Sequence, residues 1–185
     1  MPSATLLAIS GSLRARSSNT EVLRAAAHLA PADVRVTLYD ALGGLPHFNP
    51  DRDTEGAEPP APVRDLRARL AAADALLICS PEYAHGVPGS LKNALDWLVS
   101  GPEMVGKAAG LINASPRSAH AFASLAETLR TMSARLVPGA VVTLPLAGRA
   151  MDAAAIAADP ELAAALRSCV AALVAATRAG VPDPG

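Results

Sequence analysis

The sequence predicts an α/β fold, a single domain built on a five-stranded parallel sheet with helices on both faces. Two observations carry that prediction. Short apolar runs alternate with longer helical patterns along the chain, and successive runs stand far enough apart for a helical crossover between them. The first run, ATLLAIS, ends at Ser10 and precedes a helix expected over about residues 18–30. VRVTLYD (34–40) is the second strand. GGLPHFNPDRDTEGAEPPAP (43–62), rich in proline, glycine and acid, reads as a long surface loop, and a helix follows over about 62–73. ALLICS (75–80) is the third strand, with Pro88 at the head of a helix over about 88–100. AAGLINA (108–114) is the fourth, with Ser118 opening a helix over about 118–134. AVVTLPL (140–146) is the fifth, and Asp159–Pro160 opens the last helix over about 159–179. Leu125, Leu129, Met132 and Leu136 recur at helical spacing and read as core. The tail GVPDPG is expected to fray. Nothing in residues 1–185 marks a domain boundary, because the alternation resumes after the long loop.

Composition excludes several classes of function. With 185 residues, of which 51% are hydrophobic, the chain can bury a full core. Its 16 basic and 17 acidic residues are scattered and give a net charge of -1, so the footprint expected for nucleic acid or an anionic membrane is missing. Polar residues break the apolar runs before they reach the ~18 residues that span a bilayer. The start, MPSATLLAIS, lacks the basic region of a signal peptide, and the expected location is the cytoplasm. Cys79 and Cys169 read as buried thiols, and with four scattered histidines they make no zinc pattern. GPEMVGKA (101–108) imitates a phosphate-binding P-loop, but Ala108 stands where a hydroxyl is needed and the segment precedes a strand. Neither a Gly-x-Ser-x-Gly elbow nor a Gly-x-Gly-x-x-Gly fingerprint occurs.

In open parallel sheets ligands bind at the carboxyl ends of the strands, so the turns after the strands carry the functional reading. After Ser10 the chain offers Gly11, Ser12, Arg14, Ser17 and Asn19 at the start of a helix. Glycine permits an unusual turn, the hydroxyls and amide are short donors, and arginine supplies a charged fork beside a positive helix end. A phosphate monoester fits that set. Equally, Ser18 or Asn19 caps the helix while Arg14 and Arg16 face solvent. The second turn, SPEYAHGVPG, is stiffened by Pro81 and Pro88 and exposes its backbone and Tyr83 to a flat heterocycle. In the plainer account it is a tight crossover with Tyr83 covering the core.

Taken together, GSLRARSSN and PEYAHGVPGSLKNALDWL resemble the NADPH-dependent FMN reductase family, a flavodoxin-like group that includes quinone, chromate and azo-dye reductases. The likeness extends over about residues 5–145. It implies a flavodoxin-like three-layer sandwich with strand order 2-1-3-4-5. It implies bound FMN, with the phosphate at Ser10, Ser12, Arg14, Ser17 and Asn19 and the ring along Pro81, Glu82, Tyr83, Ala84, His85 and Gly86, with Ser115 from the third turn. It further implies NADPH or NADH as co-substrate and a small-molecule electron acceptor reduced in a ping-pong cycle. A homodimer or homotetramer is implied as well, with Leu91, Leu95, Trp97 and Leu98 buried or interfacial. No side chain is assigned to proton transfer, because the hydride chemistry belongs to the flavin. The sequence departs from the family pattern at Ala84, usually asparagine, which removes a side-chain hydrogen bond beside the flavin, and at Ser115-Pro116-Arg117, usually glycine-rich. His85 faces either the substrate or solvent. The rival reading on the same fold is a non-enzymatic flavin-binding electron carrier or regulator; the near-neutral charge favours the enzyme.

Overall fold

The computed structural model describes residues 2–54, 56–146 and 149–179. Five strands form one parallel sheet in the order β2-β1-β3-β4-β5. They are β1 (Ala4–Ser10), β2 (Val34–Tyr39), β3 (Ala75–Cys79), β4 (Ala108–Asn113) and β5 (Arg135–Thr143). The central strands β3 and β4 are buried along their whole length, which explains their unbroken apolar sequences. Helices α1 (Ser18–Leu29), α5 (Ala153–Ala158) and α6 (Pro160–Arg178) pack on one face; α2 (Ala61–Ala71), α3 (Gly89–Asp96) and α4 (Ala119–Thr131) cover the other.

Alternate residues of each strand feed the two cores. From β1, Leu6 and Ala8 join Val22, Leu23 and Ala26 of α1, while Leu7 and Ile9 join Leu66, Leu70, Leu91 and Leu95 of α2 and α3. On the α6 side Gly110 admits close approach, since a Cβ there would stand 3.0 Å from side-chain atoms of Leu173 and Leu77. Asp159 caps α6 by accepting from the amides of Glu161 and Leu162 at 3.1 and 3.2 Å, with Pro160 in the first turn. Arg149 donates to the same carboxylate and holds its pKa below the ordinary value.

Three points differ from the sequence reading. The fifth strand begins at Arg135 and ends at Thr143, well ahead of the expected 140–146. Pro138 and Gly139 lie inside it: an edge strand tolerates proline, and the register shifts between Ala109 and Leu111 to absorb them. Helix α5 was not foreseen in the stretch after β5. Helix α6, with 19 residues and mean hydropathy 1.3, is apolar enough to meet the length and composition of a bilayer span; Leu162, Leu166, Val170 and Leu173 place it in the sheet core. Of the two places open to Leu91, Leu95, Trp97 and Leu98, the structure selects the buried one, since they are at most 1% exposed within the chain.

The long loop after β2 is held down rather than free. Short 3₁₀ turns occupy Leu42–Gly44 and Pro50–Arg52. Asn93 of α3 accepts from the Phe48 amide at 2.7 Å and donates to the Pro46 carbonyl at 3.0 Å, where the Trp97 indole N–H also donates at 2.8 Å. The Phe48 ring meets Trp97 edge-on, with centroids 5.1 Å apart. Arg67 of α2 adds bonds to Asp53, Ser100 and the Trp97 carbonyl. The P-loop imitation is structural too: Lys107 donates to the Ala73 carbonyl, and burial lowers its pKa.

Candidate functional site

Three turns meet above the carboxyl ends of β1, β3 and β4, where strand order reverses. The first leaves β1 at Ser10. The Gly11 amide donates to the Cys79 carbonyl at 2.9 Å, fixing the turn to the end of β3. The approach is so close that a Cβ on Gly11 would lie 2.3 Å from Ser80 Oγ and 2.9 Å from Ser80 Cβ. Ser10 Oγ accepts from the Ser12 amide at 3.3 Å and from the Thr20 hydroxyl at 2.9 Å, and Ser12 Oγ accepts from the Arg14 amide at 3.3 Å. These bonds bend the backbone into a concave turn facing the start of α1.

Ser17 sits at the N-cap of that helix in extended conformation, yet its side chain caps nothing. Its hydroxyl is buried and has no hydrogen-bond partner. Leaving such a group unpaired costs roughly 1–3 kcal/mol, so the turn is short of one oxygen-bearing partner. Arg14 is exposed at the rim, and among the described residues no ion pair engages it. Ser10, Ser12, Arg14 and Ser17, with the free amides of the first turn of α1, therefore make a cradle for a small anion such as a phosphate. The capping account does not hold, since neither Ser18 nor Asn19 is the N-cap. Asn19 faces inward and its side-chain oxygen accepts from the Cys79 thiol at 3.3 Å. Burial first, and the neighbouring Cys169 second, push the Cys79 pKa far up, which keeps it protonated as a donor. Burial pushes Cys169 up to about 12.

The second turn carries Pro81 to Gly86. Tyr83 and Gly86 exchange backbone hydrogen bonds of 3.1 and 2.9 Å across a two-residue hairpin turn. Both intervening residues lie in the left-handed region, Ala84 at φ 49° and His85 at φ 60°. This is the backbone of a type I′ turn, for which asparagine and glycine are favoured. Ala84 thus carries a conformational cost, at a turn position that favours asparagine or glycine. We expect Ala84→Asn to raise stability by about 0.5–1 kcal/mol, because asparagine visits the left-handed region more readily than alanine; chemical denaturation measures this, and an unchanged or lower midpoint would refute the strain argument.

Two contacts hold this strained turn against α4. Glu82 accepts from the Ala121 amide at 2.8 Å, serving the α4 N-terminus in place of Ser118, whose side chain makes no cap bond. The His85 ring stacks on His120, with centroids 4.2 Å apart and planes 9° from parallel. His85 therefore has a ring partner, an arrangement neither expectation for it included. Tyr83 is 52% exposed, so it does not cover the core and its face is free for a flat ligand.

The third turn follows β4. Asn113 is buried and its side-chain oxygen accepts from the Ser115 amide at 3.1 Å, while Ser115 Oγ accepts from the Arg117 amide at 3.3 Å. Arg117 itself is exposed. Sequence reasoning missed Thr20 and Asn113 as shapers of the site. Asn113 had a signal, a lone polar residue closing an otherwise apolar strand; Thr20 had none beyond its place one turn from Ser17.

The family model described as NADPH-dependent FMN reductase matches residues 4–148. An NAD(P)H-dependent FMN reductase of Pseudomonas aeruginosa is 43% identical over 112 residues, 60% of this chain and 59% of that protein. A quinone reductase of Escherichia coli K12 is 39% identical over 93 residues, 50% of this chain and 49% of that protein. The chain thus spans about half the length of the curated relatives it matches. Among solved structures, the flavoenzyme NAD(P)H:(acceptor) oxidoreductase FerB of Paracoccus denitrificans superposes with a TM-score of 0.78 at 30% identity, over 96% of this chain and 98% of that one. Both the sequence match across most of the chain and the full-length structural likeness lead to one assignment: the chain belongs to the NADPH-dependent FMN reductase family.

Proposed function

We propose that the protein is an FMN-dependent NAD(P)H oxidoreductase that passes a hydride from NAD(P)H through bound FMN to a small-molecule acceptor. Quinones, azo dyes, metal oxyanions and free flavin are the acceptor classes. The observation that carries this reading is the buried, unpartnered Ser17 hydroxyl inside a turn that already presents Ser10, Ser12 and Arg14. A phosphate oxygen supplies the missing partner, and the close packing of Gly11 on Ser80 fixes the turn that presents the hydroxyls. FMN, when bound, supplies hydride acceptance and release at its own ring.

The chain's residues bind and orient. In this reading Ser10, Ser12, Arg14 and Ser17 hold the phosphate, and the Asn19 amide nitrogen borders it. Tyr83 lies against the ring, flanked by the backbone of Pro81, Ala84, His85 and Gly86 and by Ser115. Glu82 acts as a positioning residue through its bond to α4. The proposal includes a cytoplasmic location and a homodimer or homotetramer, the latter supported by the exposed Val99 and Val105 in the segment between α3 and β4 (65% and 66%); sedimentation as a monomer would remove the oligomer.

The test is the visible spectrum of protein loaded with FMN and desalted, followed by NAD(P)H oxidation with a quinone. Retained flavin and sustained turnover are expected, and Arg14→Ala should weaken FMN by about tenfold or more through loss of a charge-assisted bond. A colourless protein would overturn the reading. Retained FMN without turnover would shift it to an electron carrier.

A further inference from the structure

The phosphate cradle has two sides. Toward β3 and β4 it opens on the ring-side turns; toward β2 it opens on a cavity of about 690 Å³. That volume lies inside the ~300–1,000 Å³ range of small-molecule sites. FMN ends at its phosphate, so a flavin seated with its ring on the β3-side turns reaches only the part of this cavity lined by Ser10, Ser12 and Arg14.

The lining matches the part that FMN lacks. Arg14 and Arg24 both border the cavity next to Ser12, which suits a second phosphate. Arg24 also pairs with Glu21, while Arg14 has no ion pair among the described residues. Asp40, just past the end of β2, also borders the cavity, exposed and outside every ion pair among the described residues. A carboxylate there can accept from ribose hydroxyls, as the acid that follows the first glycine-rich turn does in dinucleotide-binding folds of the other strand order. Leu38 and Leu42 give an apolar wall, and at Gly44 an added Cβ would meet no atom within 4 Å. The lining thus offers cations, a carboxylate and apolar side chains, the complement of groups that a diphosphate-linked adenosine would meet.

We propose that this cavity accepts the adenylyl half of FAD, so that the protein binds FAD as well as FMN with the flavin phosphate in the same cradle. The inference rests on the FMN reading, because the cradle is shared. Apoprotein is incubated separately with FMN and FAD, desalted, and the retained flavin measured by its spectrum and by chromatography after release. Both flavins are expected to remain bound. Gly44→Trp, which fills open space at a residue without positive φ, should weaken FAD by about tenfold or more and leave FMN within about twofold. Asp40→Ala should weaken FAD selectively by a smaller factor. Retention of FMN with rejection of FAD overturns this inference alone, as does FAD binding indifferent to both substitutions. Retention of neither flavin overturns the FMN reading and this inference with it.

Discussion

Gly11→Ala is expected to lose most of its flavin while remaining folded. The added Cβ would sit 2.3 Å from Ser80 Oγ, a group that can rotate away, and 2.9 Å from Ser80 Cβ, which cannot. Leu91 Cδ2, at 3.1 Å, blocks retreat in another direction. The turn or β3 must therefore shift by tenths of an ångström, at a cost of about 1–3 kcal/mol in stability. Because the Gly11 amide is bonded to Cys79, the shift carries Ser12 with it and spoils the cradle. FMN affinity should fall by about tenfold or more, since positioned donors lose their alignment steeply with displacement. The double substitution Gly11→Ala with Ser80→Gly removes the two nearest obstructing atoms, leaving only the flexible end of Leu91, and should recover much of both losses. Failure of that rescue would mean that glycine is needed at this position for something other than space.

Trp97→Ala should be the most destabilising single change in the chain, by about 3–5 kcal/mol. The side chain is fully buried in the core under α2 and α3. Its removal leaves a cavity, deprives Phe48 of its edge-on partner and takes the indole donor from the Pro46 carbonyl. Trp97→Phe keeps much of the apolar volume and loses only the donor, and Asn93 still serves that carbonyl, so about 1–2 kcal/mol is expected. Proteolysis within residues 46–60 should rise sharply in the alanine variant and little in the phenylalanine one. Equal stability of the two variants, measured by denaturant titration, would show that the indole bond rather than packing fixes the loop.

What could be read from the sequence followed from how local its causes are. Strands β1 to β4 are short apolar runs ended by turn residues, and each was placed within a residue of its observed limits. Strand β5 was misplaced because its proline and glycine signal a break to any local rule, whereas the tolerance of an edge strand depends on which neighbour is absent. At the site, the hydroxyls and arginine of the first turn were legible as donors gathered before a helix. The stacking of His85 on His120 was not, since the residues are far apart in sequence and meet only because β3 and β4, whose following turn and helix carry them, are neighbours in the sheet. The conformational meaning of Ala84 was equally hidden, because an alanine carries no mark of the positive φ imposed on it. Asn93 and Trp97 belonged to the motif that suggested the family, and the structure gives them a physical task, holding down the loop after β2.

The proline and register shift in β5 bear on how copies of the chain can meet. An outer strand with a continuous row of unpaired amides invites a second sheet to continue the first. Here Pro138 supplies no amide, and the irregularity opposite Ala109 and Leu111 divides the strand into two short pieces with different alignment. A neighbouring strand could match one piece only by losing step with the other. This end of the sheet is thereby closed to growth, and contacts between copies at this end of the molecule are left to helices.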